Sequence, residues 1–308
     1  MILTITANPA IDRVYFVENF EIGKVYRAKR FSRSAGGKGI NVARVAHLLG
    51  RGTAAMGFAG GYSGDFIKSE IEKQGIKNLF TPISEESRTC INISNEYGVS
   101  GEILEAGPTI LVEEKNRFLR EYSDCVDDYE IICVSGSLPL GLTSDFYIEL
   151  INIARNKGKK IIVDTSGNTL NDILSSKPYM VKPNQDEISV LMNKEITTDD
   201  HIKEALFYLM EKGVEIPFLS LGKEGSAAMI EGRCYRFLSP SVKVINAVGS
   251  GDSSVAGIAT GLDMGYTIEK AIKLGMATGT ANTQFEQTGM VTKELVEQYF
   301  SLIKVREI

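Results

Sequence analysis

Residues 131–164 read IICVSGSLPLGLTSDFYIELINIARNKGKKIIVD. Ile131-Ile132-Cys133-Val134 is a short continuous apolar run, the mark of a strand buried on both faces. Gly136 to Gly141 interrupts it as a loop. From Phe146 to Lys157, Tyr147, Leu150, Ile151 and Ala154 recur at helical spacing. Lys160-Ile161-Ile162-Val163-Asp164 is a second apolar run. Strand, helix, strand is the unit of a parallel sheet. The alternation continues outward, with a helix over 168–175, a strand at Tyr179-Met180-Val181-Lys182, helices over 185–193 and 199–212, and a strand at Phe218-Leu219-Ser220-Leu221. Toward the N-terminus, Met1 to Thr6 reads as a first strand and 40–49 as a helix. The chain is therefore expected to be α/β, with a mostly parallel central sheet and helices on both faces. Ligands of such sheets bind beyond the carboxyl ends of the strands. The loops carrying Gly136, Ser166-Gly167, Asn184, Gly222 and Gly249-Ser250-Gly251 should gather there.

Two segments break the pattern. Residues 13–33 carry Arg13 to Val17 and Tyr26 to Phe31 without a helical period. Residues 88–105 carry Thr89 to Ile93, a turn at Tyr97-Gly98, and Ile103-Leu104. Both read as strand pairs of a small separate sheet, a β lid able to cover a substrate and exclude water.

Composition narrows the function classes. The 308 residues are 43% hydrophobic and 24% charged, with net charge -5, ordinary for a globular protein and unlike a nucleic-acid binder. Cys90, Cys125, Cys133 and Cys234 form no CxxC pair and read as reduced thiols of a cytoplasmic protein. His47 and His201 are the only histidines, and both sit in segments that read as structural. No apolar run approaches the roughly 20 residues that span a bilayer, so no membrane partner is expected.

The chemistry concentrates in glycine-rich loops. Asn246-Ala247-Val248-Gly249-Ser250-Gly251-Asp252-Ser253-Ser254 runs into the apolar stretch Val255–Leu262, which reads as helix. Unpaired N–H groups at such a helix start form an anion site. Asp252 then stands where a carboxylate could take a proton from an attacking hydroxyl. Asp is also an ordinary helix-entry residue, so the segment alone leaves both readings open. Ala35-Gly36-Gly37-Lys38-Gly39-Ile40-Asn41 lacks the GxxxxGK[ST] spacing and is no Walker A element. It still brings amides, Lys38 and Asn41 to a polar ligand, or serves as a plain helix entry. Asp12, just past strand one, can accept hydrogen bonds from sugar hydroxyls. Lys182-Pro183-Asn184-Gln185-Asp186-Glu187 sets a Lys, an amide and a carboxylate at a strand-to-helix junction, and Mg²⁺ prefers few carboxylates and several waters. Ser220-Leu221-Gly222-Lys223-Glu224-Gly225 is a glycine turn between strands.

NPAID at 8–12, AGGKGIN at 35–41, GSLPLG at 136–141, DTSG at 164–167, KPNQDE at 182–187, SLGKEG at 220–225 and VGSGDS at 248–253 occur in this order. Together they resemble the ribokinase-like, PfkB-type family of carbohydrate kinases, over essentially the whole chain. The resemblance implies a ribokinase-like three-layer α/β/α domain over 1–308, with the lid formed by insertions at about 13–33 and 88–105. It implies an enzyme using ATP and Mg²⁺, with Asp252 as general base and Gly249, Ser250 and Gly251 as the anion hole. Asp12, Gly37, Lys38, Asn41 and Ser137 would hold the sugar, and Arg88 with Arg27 its phosphate, which a guanidinium grips in bidentate fashion. Lys182, Asn184, Glu187, Ser220, Gly222, Gly225 and Asn282 would face the nucleotide. Glu187 and Asn184 would reach Mg²⁺ through water. Segments 87–93, 102–108 and 248–251 resemble the branch acting on tagatose 6-phosphate. The 1-phosphofructokinase branch comes next and typically has Ala where Ser250 stands. A silent sugar-phosphate-binding regulator is the alternative outside catalysis. Ribokinase-type members carry Asp where Asn246 stands and use that region for a monovalent cation, so the amide puts potassium activation in question. The lid is expected to support a homodimer.

Overall fold

The central strands β1 (Ile2–Thr6), β4 (Thr53–Ala59) and β9 (Ile131–Ser135) are buried along their whole length. The structure, a computed structural model, describes residues 1–95 and 98–308. Continuous burial means that both faces of the sheet are covered, so these strands read as apolar runs rather than alternations. β1 pairs in parallel with β4 on one side and β9 on the other. Beyond β9 follow β10 (Lys160–Asp164), β11 (Met180–Val181) and β12 (Ile216–Ser220), all parallel. β5 (Lys77–Asn78) and β6 (Thr81–Pro82) extend the far edge beside β4. At the other edge β13 (Ser226–Ile230), β14 (Arg233–Leu238) and the C-terminal β15 (Lys304–Glu307) add three antiparallel strands.

Helices cover both faces. One layer holds α3 (Val112–Cys125), α4 (Ser144–Asn156), α5 (Gly167–Ile173), α6 (Gln185–Met192) and α7 (Asp199–Glu211). Its centre is aromatic, with Phe118 4.7 Å from Phe58 and 5.2 Å from Phe146 between ring centroids. A buried ring of this kind stabilises by about 1.5–3 kcal/mol. The opposite layer holds α1 (Lys38–Leu48), α8 (Ser250–Asp263), α9 (Ile268–Asn282) and α10 (Lys293–Leu302). α2 (Gly61–Lys73) packs beside α1 on β4.

α8 and α9 touch backbone to backbone. A Cβ at Gly257 would lie 2.7 Å from the Cα of Gly275, and one at Gly261 2.7 Å from the Cα of Ala271. A Cβ at Gly279 would meet Ser254 Oγ at 2.2 Å and the Ser250 carbonyl at 2.9 Å. Only hydrogen fits at these points, and the close approach seats the start of α8.

The second sheet has the order β3-β2-β7-β8, with β2 (Ala10–Phe16), β3 (Arg30–Gly36), β7 (Arg88–Asn95) and β8 (Gly98–Leu104). β2 is antiparallel to β3 and parallel to β7, and β7 is antiparallel to β8. One expectation is corrected. The strand sought at Tyr26–Phe31 runs instead from Arg30 to Gly36. Tyr26 closes the preceding loop on itself, its hydroxyl donating to the Asn19 carbonyl at 3.0 Å and accepting from the Glu21 N–H at 2.9 Å. Similarly, Lys182 lies just past the short strand that was expected to include it. Of the turn expected at Tyr97-Gly98, Tyr97 lies outside the described residues. The four cysteines are free thiols. No helix among the described residues is long and apolar enough to cross a membrane.

Candidate active site

A cleft of about 1700 Å³ lies between the small sheet and the carboxyl edge of the large one. Asp12, Gly37, Lys38, Asn41, Arg88, Ser137, Gly249 and Asp252 line it, drawn from segments far apart in sequence, and Arg27 lies at its exposed margin.

The glycine loop ends where α8 begins. Gly249 is the N-cap with φ +80° and ψ 0°, a left-handed conformation that favours glycine. A Cβ there would also lie 2.5 Å from Thr288 Cγ2. The Ser250 N–H bonds to the Ala247 carbonyl at 3.2 Å. Among the described residues, the N–H groups of Gly249, Gly251 and Asp252 have no protein acceptor. The vacant donors are thus Gly249, Gly251 and Asp252, while the Ser250 N–H is spent on holding the turn. Lys182 Nζ lies 3.3 Å from the position a Gly251 Cβ would take, so a cation stands over the helix start. The helix dipole adds positive potential at the same place.

Asp252 is 7% exposed, and its Oδ2 accepts from Asn41 Nδ2 at 2.9 Å. Burial, reinforced by the negative charge of Asp164, pushes its carboxyl up to about 6, against the Asn41 hydrogen bond and the charges of Lys38 and Lys182. A carboxylate so placed is ionised at neutral pH and basic enough to take a proton. Asp164 lies at the end of β10, 2% exposed, with Oδ1 3.4 Å from Lys182 Nζ and 3.7 Å from Lys38 Nζ. Burial opposes the Lys38 ammonium, but Asp164, Asp252 and Glu187 outweigh it and hold its pKa above the ordinary value.

On the small-sheet side, desolvation inside the cleft raises Asp12 to about 6, opposed by Arg44 and Arg88 and assisted by Glu102 and Asp252. Its carboxylate lies where a Cβ on Gly36 would be, 2.0 Å from Oδ2, so glycine makes room for it. Gly37, with φ +117°, turns the chain into α1. Arg88 spends three of its five N–H groups on main chain: Nε and Nη2 on the Asn8 carbonyl at 3.2 and 3.0 Å, and Nη1 on the Glu105 carbonyl at 3.0 Å. One N–H on each Nη remains for a ligand.

The residues expected to face a nucleotide follow β11 and β12, outside the lining of the cleft. Asn184 and Glu187 form a reciprocal capping box on α6, with both bonds at 2.8 Å. Ser220 bonds back to the Pro183 carbonyl, and Gly222 and Gly225 shape the hairpin turn. A Cβ on Gly225 would lie 1.9 Å from the Phe237 carbonyl. Asn282 is wholly buried. Its Nδ2 donates to the Val248 carbonyl at 3.0 Å, and its Oδ1 accepts from the Gly289 and Met290 N–H groups at 2.9 and 3.3 Å. Asn282 thus ties two loops together and has no face on the cleft.

The sequence reading missed Arg44, Asp164 and Thr288. Arg44 lines the cleft one helical turn beyond Asn41 and donates to Asn41 Oδ1 at 2.8 Å. The available signal was the i, i+3 spacing of Asn41 and Arg44 on one helix face. For Asp164 it was the need of Lys38 and Lys182 for a counter-charge.

Residues 4–294 match the pfkB family carbohydrate kinases. The chain is similar to tagatose-6-phosphate kinase of Staphylococcus epidermidis, 40% identical over 311 aligned positions spanning all of both chains. Among solved structures, it resembles Escherichia coli phosphofructokinase-2 in complex with potassium, at 27% identity and TM-score 0.90 over 98% of each chain. It also resembles a Thermotoga maritima protein described as a possible 1-phosphofructokinase. That match has 26% identity and TM-score 0.88, over 100% of this chain and 99% of the other.

Proposed function

This chain belongs to the pfkB family of carbohydrate kinases, and on that premise we propose that it transfers the γ-phosphoryl group of ATP to the C1 hydroxyl of tagatose 6-phosphate, giving tagatose 1,6-bisphosphate. The observation that carries this reading is the buried Asp252 carboxylate beside the vacant N–H groups of Gly249, Gly251 and Asp252. Asp252 accepts the proton of the C1 hydroxyl as it attacks phosphorus, a task worth about 10²–10⁴-fold in rate. The vacant donors meet the negative charge on the transferring group, where loss of one such donor costs on the order of 3 kcal/mol. Lys182 adds a positive charge beside them.

Asp12, Lys38 and Asn41 hold the sugar, with Gly37 and Ser137 at its edge. Arg88, with its two remaining N–H groups, and Arg27 from the exposed loop hold the 6-phosphate. The loops of Asn184, Glu187, Ser220, Gly222 and Gly225 flank the nucleotide. Mg²⁺ fits here as a companion of the phosphates. Glu187 has one carboxylate oxygen, Oε1, outside its capping bond, and can reach the ion through water, whereas Asn184 Oδ1 already serves the cap. Mg²⁺ would neutralise phosphate charge there. We place the enzyme in the cytoplasm, in keeping with its four free thiols, and read it as a homodimer through the small sheet. Tyr15, Ile91, Ile93 and Ile103 share the face of that sheet opposite Asp12, by the strand register.

Steady-state ADP release tests the reading, with tagatose 6-phosphate, fructose 6-phosphate and fructose 1-phosphate compared by kcat/KM. The highest value is expected on tagatose 6-phosphate. A preference for fructose 1-phosphate replaces the substrate with that of the second reading, which the Thermotoga maritima similarity favours. No sugar-dependent ADP release with any of the three overturns catalysis itself.

A further inference from the structure

Arg44 is bound through all three of its nitrogens. Nη2 donates to the Ala35 carbonyl at 2.6 Å, Nε to Gln74 Oε1 at 2.9 Å and Nη1 to Asn41 Oδ1 at 2.8 Å. Ala35 lies near the end of β3 and Gln74 caps α2, so the guanidinium is held from two sides before it meets Asn41. Asn41 in turn donates Nδ2 to Asp252 Oδ2 at 2.9 Å.

The two ends of an Asn amide have nearly the same shape and opposite polarity. What fixes the orientation here is a donor that only the oxygen can accept. We propose that Arg44 is a positioning residue. Its guanidinium locks the Asn41 amide with N–H toward Asp252, and so keeps that carboxylate ionised and aimed into the cleft. Without Arg44 the amide is free to turn its oxygen to Asp252, an arrangement that favours the protonated acid and removes the base. The other charged groups facing Asp252 are Asp164 at the end of β10, Lys182 past β11, Lys38 at the start of α1 and Asp12 on β2. Lys38 and Lys182 are both paired with Asp164. Arg44 is the cation whose bond reaches Asp252 through Asn41. A Lys at 44 would keep the charge but lose the planar fork.

The inference rests on Asp252 being the base. Its test measures kcat and KM from pH 5 to 9 in the full-length protein, with whichever ketohexose phosphate turns over best. Arg44→Met is expected to move the acid limb of kcat up by about one pH unit. Its kcat at pH 6.5 should fall about threefold, with almost no loss at pH 8.5 and little change in KM for ATP. A purely structural role would lower the melting temperature and leave the limb in place. In an Asn41→Ala background, Arg44→Met should add only the smaller shift that its direct charge on Asp252 gives, because its route through the amide is already cut. A wild-type acid limb in folded Arg44→Met, or a full additional shift in the Asn41→Ala background, overturns the proposal. If Arg44→Met does not fold, Arg44→Leu is read on the same scale, and a wild-type profile there overturns it equally. Asp252→Asn is assayed alongside. If that variant keeps turnover, the base reading itself fails. If it is dead while Arg44→Met is unshifted, only the present inference fails.

Discussion

Replacing Asp252 by Asn should make the protein more stable and nearly inactive, both for one reason. Burial raises the carboxyl from 3.8 to about 6. The shift is about two units, equivalent to about 3 kcal/mol disfavouring the ionised form in the folded state. The sign follows from linkage. Below pH 3.8 the acid is protonated in both states and costs nothing. Between 3.8 and 6 the unfolded chain sheds its proton while the folded chain holds it, so stability falls as pH rises, and above 6 the full cost applies. An amide of the same shape escapes this cost and still accepts the Asn41 hydrogen bond. Asp252→Asn is therefore expected to melt at nearly the wild-type temperature at pH 4. By pH 8 it should exceed wild type by on the order of 5 °C. Turnover at pH 8 should fall by about 10²–10⁴-fold. Thermal melts at five pH values, with ADP release on the same samples, make the test. A melting difference equal at pH 4 and pH 8 would refute the burial argument, and near-normal kcat would refute the role of Asp252.

Two further outcomes are expected. Gly36→Ala sets a methyl 2.0 Å from Asp12 Oδ2, so KM for the sugar phosphate should rise on the order of tenfold while KM for ATP holds; steady-state kinetics decide, and an unchanged sugar KM removes Asp12 from the sugar site. Asn246 accepts from the Val248 N–H and donates to the Glu286 carbonyl, both at 2.9 Å, so turnover should be the same in potassium and tetramethylammonium salts, and Asn246→Asp should create a cation requirement.

The parallel sheet was legible because β9 and β10 are buried on both faces and so carry unbroken apolar runs. The glycine-capped start of α8 was legible because glycine and a following acid mark such places. β3 was not, because Arg30 to Ser34 are all exposed and, apart from Phe31, polar, so no apolar alternation announces a strand. Arg44 escaped because an Arg in a helical pattern normally faces solvent, and nothing local says that Ala35, Gln74 and Asn41 converge on it. Asn282 was assigned a ligand, but at its end of α9 it is enclosed by the very loops it joins. Spacing alone cannot distinguish an amide that holds a loop from one that holds a substrate.

The contact between α8 and α9 gives the glycine loop at 249–251 an unusual dependence. Its coordinates are fixed from behind, by a seam from which side chains are missing. A single methyl at Gly279 would press on the Ser250 carbonyl and lever the first turn of α8 off its seat. Such a lesion touches no ligand, yet it would register as slow chemistry with ordinary binding. Kinetic defects mapped onto this enzyme will thus trace a buried line along two helices as well as the walls of the cleft.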